Sequence, residues 1–431
     1  KELDVDAIGI SCLSHAMIQA ETVTAHLREH FDKPILWGGT GPTIEPDRSI
    51  LHADLVCVGE GEDVILEIAA RLDLKQPLDN IPGTWFRSSD GNIQKNPKRP
   101  VADLETIAMP VWEEEHYAYI NGPRFDRTFA PNKHSPDKSY QMMTQRGCPF
   151  SCSFCVESFY QNEFGKKDSL RRMSPQKAIR ELLYAKNILG YKTVTFMDDV
   201  FTVKPRWLEE FLSLYKQVID LPFFCYTYPT THNKKILALL KDTGCHAITM
   251  GVQSGSYRIL TEVYNRPTKI GRVTQAAMEI VESGIPAATF DLIPQTEFDK
   301  EDDLRETLEL LLELPKEMDS TFYNIMAYFP NYPIQEKFQD QQLLASSERL
   351  TEDTYLYYFK LFGLTRTAMP MEQIRTIAQD PQYRQNHDLL NHLLDDANIQ
   401  KPNYGQLIEL GIQREEAKAA DAITRLKLAR G

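Results

Sequence analysis

The sequence predicts an α/β protein: a short doubly wound parallel sheet, then a partial barrel of six βα units, then a helical tail. Apolar runs of strand length alternate with stretches of helical period over most of the chain, the pattern of parallel sheets with crossover helices. The alternation breaks once, from Leu74 to about Asn132, in a segment rich in Pro, Gly, Asn and Asp. The expected division is therefore 1–75, an incomplete doubly wound domain; 76–132, a linker; 133–333, the partial barrel; and 334–431, a small helical domain.

Residues 4–11 read as a buried strand, and an apolar-periodic helix follows to about His30. Pro34–Trp37 and Ala53–Val58 read as two further strands. Ser89-Asp90-Gly91-Asn92 predicts a hairpin inside the linker. Barrel strands are expected near 140–145, 192–198, 222–228, 246–252, 286–293 and 320–328. Between them the helix over 206–219 shows its period, with Trp207, Leu208, Phe211, Leu212, Tyr215, Val218 and Ile219 on one broad face. In such an architecture the chemistry gathers at the C-terminal ends of the strands. In the helical tail, Tyr355, Tyr357, Tyr358 and Phe359 read either as cavity lining or as packing, the commoner fate of an aromatic cluster on a helix.

With 431 residues, 42% of them hydrophobic and 10% aromatic, the chain can bury a substantial core. A formal net charge of -13, with no run of Lys and Arg interleaved with aromatics, disfavours a nucleic-acid partner. No stretch approaches the roughly 18 apolar residues of a membrane span, and the start has no basic-then-apolar signal pattern. The expected compartment is the cytoplasm. Seven cysteines is an odd count, and three of them crowd together, which suits metal ligation under reducing conditions better than a disulfide framework.

Those three are Cys148, Cys152 and Cys155, in Arg146-Gly147-Cys148-Pro149-Phe150-Ser151-Cys152-Ser153-Phe154-Cys155, where the first barrel strand should end. Three thiolates on one loop can ligate three irons of a cubane cluster and leave the fourth iron open. A zinc knuckle would need a fourth ligand, and the nearest following histidine is His232. Incidental core cysteines seldom take this spacing. Cys225 and Cys245, in or beside apolar strands, read as packing.

CxxxCxxC opening a run of βα units resembles the radical S-adenosylmethionine (SAM) superfamily, and the resemblance covers residues 140–330. It implies a [4Fe–4S] cluster on Cys148, Cys152 and Cys155 whose open iron binds the amino and carboxylate groups of SAM. One electron then splits the S–C bond to give a 5′-deoxyadenosyl radical. Phe154 should lie against the adenine. Asp198 and Asp199, ending the second strand, should accept from the methionine ammonium, with an ordinary helix N-cap as the alternative for Asp199. Gln253 and Ser254, in Gly251-Val252-Gln253-Ser254-Gly255-Ser256 after the fourth strand, should hold the ribose or carboxylate of SAM; a plain strand-to-helix turn is the alternative. Two stretches depart from the family. Phe290–Glu297 is shorter than expected between strand and acidic turn, and Phe329-Pro330-Asn331-Tyr332-Pro333 lacks the glycine that usually follows the proline.

Ser11-Cys12-Leu13, Gly38-Gly39 and Gly59-Glu60 each follow one of the three N-terminal strands, which resembles a cobalamin-binding domain. The resemblance implies that Ser11, Leu13, Gly38, Gly39, Gly59 and Glu60 make room for the nucleotide tail of cobalamin. Generic tight turns of a nucleotide-type fold are the alternative. The family's DxHxxG loop lies two βα units earlier, so either residues upstream of Lys1 or another element is expected to complete the sheet.

Together these resemblances imply a cobalamin-dependent radical SAM enzyme that methylates an unactivated carbon of a small-molecule or natural-product substrate. An external flavodoxin- or ferredoxin-type donor would supply electrons. Cyclisation, rearrangement or anaerobic oxygen insertion share the same layout. An electron-transfer iron–sulfur protein is the reading from another class, and it would need a fourth cysteine ligand.

Overall fold

The computed structural model describes residues 5–110, 119–121, 124–126, 139–321, 324–339 and 349–395. The chain forms two compact units. One comprises Lys1–Ala108, Ser153–Arg171 and Ala327–Glu336, and the other Met109–Cys152, Arg172–Met326 and Lys337–Gly431.

In the first unit, β1 (Ile8–Ser11), β2 (Ile35–Gly38) and β3 (Leu55–Cys57) run parallel, with Ser11 opposite Gly38. Alternation of side chains sends Ile35 and Trp37 to one face and Leu36 to the other. Ile35, Trp37 and Val56 pack with Met17 and Ala20 of the helix Met17–Arg28, while Leu36 and Leu55 pack with Val64 and Ile68 of the helix Glu62–Asp73. Helices on both faces make this a doubly wound sheet, as expected. Trp37 is fixed further by its indole N–H, which donates to Thr24 Oγ1 at 2.9 Å.

The hairpin assigned to the linker belongs instead to this sheet. β4 (Thr84–Arg87) pairs antiparallel with β3, and β5 (Ile93–Lys95) pairs antiparallel with β4. The sheet therefore extends past the boundary expected at residue 75. The physical reason is the free edge of β3, whose backbone N–H and C=O groups need partners. Gly91, at φ 86°, makes the turn between them.

The second unit is built on six parallel strands, β6 (Ser139–Met142), β7 (Thr193–Phe196), β8 (Phe223–Thr227), β9 (Cys245–Gln253), β10 (Ala287–Leu292) and β11 (Asp319–Thr321). They lie side by side in sequence order, with β6 and β11 at the two open edges, which is the expected partial barrel. Helices Pro175–Asn187, Pro205–Val218, Lys234–Asp242, Ile270–Glu282 and Glu301–Glu313 connect them. Their starts follow from local chemistry: Ser174 and Asn233 accept from Lys177 N and Ile236 N, and Pro175 and Pro205 occupy first-turn positions where no N–H is needed. The predicted apolar face over 206–219 packs on the sheet: Phe211 and Tyr215 meet Phe196 and Phe223, all fully buried.

The tail helices Glu352–Thr365 and Met371–Gln379 resolve the question of the aromatic cluster. Tyr355, Tyr357, Tyr358 and Phe359 are buried in packing. Tyr355 donates to Thr296 O at 2.8 Å and Tyr358 to Glu301 at 3.1 Å, and Arg366 donates to Pro315 O and Met318 O just past the end of the helix Glu301–Glu313. Parts of the expected 334–431 domain, residues 340–348 and from 396 onward, lie outside the described residues.

Candidate active site

The cysteine loop leaves the C-terminal end of β6. Gly147 turns it at φ 86°, and the Gln145 amide donates to Gly147 O at 2.9 Å. Cys152 is buried; Cys148 and Cys155 are half-buried. Three consecutive loop residues are gripped from the barrel side. Phe150 stacks on Tyr228, just beyond β8, with ring centroids 3.9 Å apart. The Asn265 amide donates to Ser151 O at 2.8 Å. Arg266 donates one guanidinium N–H to Cys152 Sγ at 3.4 Å and another to Gly251 O at 2.6 Å, while its plane lies 4.0 Å over the Tyr228 ring. Burial raises the Tyr228 phenol, with Arg266 acting in the opposite sense.

Sequence reading missed Tyr228, Asn265 and Arg266. The one signal was Asn265-Arg266-Pro267, a polar break between apolar helical runs at Ile259–Val263 and Ile270–Glu282. Beyond Cys152 the loop passes into the first unit. There Cys155 is the extended residue that opens the helix Val156–Phe164, and Phe154 beside it is half-buried. Buried Tyr332 has its phenol raised by burial first and then by the Cys155 thiol. Asn331 takes φ 63°, so it adopts the left-handed backbone that the missing glycine would have allowed.

Among the described residues, no three His, Cys, Asp or Glu side chains converge on a single ion.

At the end of β7 the two aspartates separate. Asp198 is fully buried and accepts from Thr144 N at 3.2 Å and Thr144 Oγ1 at 2.8 Å. Arg172, held by Val203 O and Phe201 O and stacked 3.5 Å over Trp207, donates to the same Thr144 hydroxyl at 3.2 Å. Burial raises the Asp198 carboxyl, with Arg172 and Thr144 pulling the other way, and burial lowers Arg172 to about 10. Both oxygens of Asp198 are thus committed to the protein interior, which corrects its expected place beside Asp199 in the site. Asp199 keeps solvent-accessible surface on a partly desolvated side chain. Burial and the neighbouring Asp198 raise its carboxyl to about 6. It caps no helix, because the next one begins at Pro205 with Lys204 in the cap position.

Gln253 ends β9 at φ 78°, beside a register shift between Gly251 and Gln253. A non-glycine residue held there stores backbone strain, of the kind that clusters at ligand sites. Ser254 is buried and its hydroxyl accepts from Ser256 N at 3.1 Å, so it serves the turn itself. Gly255 is compelled by packing: a Cβ there would lie 2.4 Å from the Thr307 backbone.

In the first unit a cavity of about 310 Å³ opens over the sheet, lined among others by Gly9, Ser11, Gly38, Gly39, Cys57 and Ile65. Ser11, Gly38 and Gly39 thus meet as expected. Gly39, at φ 93°, would press a Cβ to 2.8 Å from Cys12 O, so only glycine fits. The other three predicted residues do not line this cavity. Leu13 is 54% exposed. Gly59, at φ 103°, lies under the Phe164 ring. The Glu60 carboxylate is paired with Arg171 and accepts from Ala102 N at 2.8 Å, which removes it as a cofactor contact. Gly9, Gly38, Gly39 and Gly61 line the cavity beside apolar side chains such as Trp37 and Ile68.

Residues 142–311 match the family model of the Radical SAM superfamily, and residues 1–69 match that of the B12 binding domain. The chain thus carries a radical SAM domain and a B12-binding domain, a pairing it shares with cobalamin-dependent radical SAM enzymes.

It is 27% identical over 342 residues to the uncharacterized methyltransferase PH0819 of Pyrococcus horikoshii, covering 77% of this chain and 68% of the relative. It is 24% identical over 354 residues to the anaerobic magnesium-protoporphyrin IX monomethyl ester cyclase of Rubrivivax gelatinosus, covering 78% of this chain but 59% of that relative. Cytidylyl-2-hydroxyethylphosphonate methyltransferase of Streptomyces wedmorensis is 25% identical, with 64% of this chain and 55% of the relative covered. This chain therefore spans roughly half to two thirds of these proteins' lengths. The same fold occurs in the cobalamin-dependent SAM radical enzyme OxsB, solved with aqua-cobalamin and SAM, at a TM-score of 0.64 and 15% identity over 99% of this chain and 73% of that one. It occurs also in the radical SAM methyltransferase TsrM of Kitasatospora setae, at 0.61 and 15% over 79% of this chain and 65% of that one.

Proposed function

We propose that this protein transfers a methyl group to an unactivated carbon of a small molecule. The observation that carries the reading is the cysteine loop, gripped at Phe150, Ser151 and Cys152, at the C-terminal edge of a parallel barrel in a chain that also has a B12-binding domain. When bound, the cluster supplies the electron that cleaves SAM, and cobalamin carries the methyl group. The protein's own part is placement. Cys148, Cys152 and Cys155 hold the cluster, and the grip on the loop keeps it in one geometry before any ligand arrives. Asp199, largely deprotonated at neutral pH given its carboxyl near 6, accepts from the SAM ammonium. Gln253, strained at the end of β9, would hold the ribose or carboxylate through its amide, and Phe154 would lie against the adenine. Ser11, Gly38 and Gly39 admit the cobalamin tail.

Electrons come from a flavodoxin- or ferredoxin-type donor. Among the described residues no helix is long and apolar enough to cross a membrane, and the cytoplasm is the proposed compartment.

Turnover with SAM labelled on its methyl group tests the reading. Label in the product supports it. The similarity to an anaerobic cyclase favours one second reading, cyclisation or rearrangement. That reading replaces methylation if 5′-deoxyadenosine accumulates in step with substrate loss while product stays unlabelled.

A further inference from the structure

We infer that Arg266 is a positioning residue that acts on the cluster through Cys152, raising its reduction potential as well as holding the loop. The inference rests on the proposed function only in requiring that Cys152 be a cluster ligand.

Three observations support it. Arg266 is 7% exposed, so its charge is little screened by water. Its fork is divided between Cys152 Sγ and Gly251 O, which fixes the cation in one place. Tyr228 lies under the guanidinium and under Phe150, so one ring ties the cation to the loop from below. Asn265, one residue earlier, holds Ser151 O, and Thr268 takes the Tyr228 hydroxyl at 2.5 Å.

The cluster becomes more negative when it accepts an electron. A fixed cation donating a hydrogen bond to a ligand sulfur stabilises that reduced state more than the oxidised one. Removing the cation must therefore make reduction harder. Arginine in a purely structural role would leave the potential unchanged.

The experiment compares wild type, R266Q and R266K after anaerobic reconstitution, with the midpoint potential read by titration followed by electron paramagnetic resonance. R266Q is expected to shift the one-electron reduction equilibrium at least tenfold towards the oxidised form, which is 59 mV. R266K keeps the charge but loses the fork, and should shift it less. Hydrogen exchange on the cluster-free proteins supplies a readout that needs no iron: amides of residues 147–152 should exchange at least tenfold faster in R266Q, with those of β6–β11 unchanged.

Equal potentials in all three proteins overturn the inference, as does weakened SAM binding at an unchanged potential. If R266Q takes up no iron, R266K supplies the comparison of potentials, and unchanged protection of the loop in R266Q overturns the holding role. A wild-type protein that takes up no cluster refutes the proposed function instead, and this inference with it.

Discussion

Thr144 donates its backbone N–H and its hydroxyl to the two carboxylate oxygens of Asp198, at 3.2 and 2.8 Å. The same hydroxyl accepts from Arg172, so one threonine links a buried carboxyl to a half-buried guanidinium. This joins the start of the cysteine loop to the end of β7. Thr144→Val keeps the shape and removes the hydroxyl, leaving a buried carboxylate oxygen and Arg172 short of a partner. The expected loss is about 1–3 kcal/mol of unfolding free energy, read as a lower urea midpoint. An unchanged midpoint would show that the link is dispensable.

Asp199 gives a pH dependence. Its folded carboxyl is raised from 3.8 to about 6, so lowering the pH through 6 neutralises the group proposed to hold the SAM ammonium. SAM affinity, measured by calorimetry on the cluster-loaded protein, should fall across that range, and Asp199→Asn should flatten the profile. The stability effect has the opposite sign. A raised folded pKa means that ionisation costs stability at neutral pH, and that this cost is relieved as pH falls through 6. Discounted for solvent exposure, Asp199→Asn should gain about 1 kcal/mol at pH 7.

Gly38 and Gly39 both line the cavity over the N-terminal sheet, but they test different things. A Cβ on Gly38 meets only Cys57 Cβ, at 3.6 Å, so Gly38→Val should fold and direct its extra atoms towards the cavity. Cobalamin uptake should drop by tenfold or more at little cost in stability. Gly39→Ala, strained at positive φ and pressed against Cys12, should lower the melting temperature whether or not cobalamin is present. Undiminished cobalamin binding by Gly38→Val would place the tail elsewhere.

Cysteine replacement is the plainest check on the cluster. Cys152→Ala should abolish the absorbance of reconstituted cluster and the release of 5′-deoxyadenosine, while far-ultraviolet circular dichroism stays native. A purified Cys152→Ala protein that still cleaves SAM would refute the assignment.

Periodicity and turn chemistry were enough to read the six barrel strands, the helix over 206–219 and the hairpin turn at Ser89–Asn92, because each is written in contiguous residues. The cysteine triplet and the paired glycines at 38 and 39 were legible for the same reason: their spacing along the chain is their chemistry. The tertiary structure alone decided which neighbours those residues would meet. Asp198 and Asp199 are adjacent in sequence, yet one is turned inward to Thr144 and the other outward to solvent, because the chain has left β7 at Phe196 and starts a turn at Asp199. Glu60 looked available until Arg171, 111 positions away, took its carboxylate. Arg266 carried almost no local signal, since its meaning lies in reaching Cys152 across 114 residues of chain. The hairpin was seen but misplaced, because no local pattern shows that the edge of β3 waits for a partner. Local sequence can specify an element and its turn; pairing, burial and charge compensation arise only when distant segments come together.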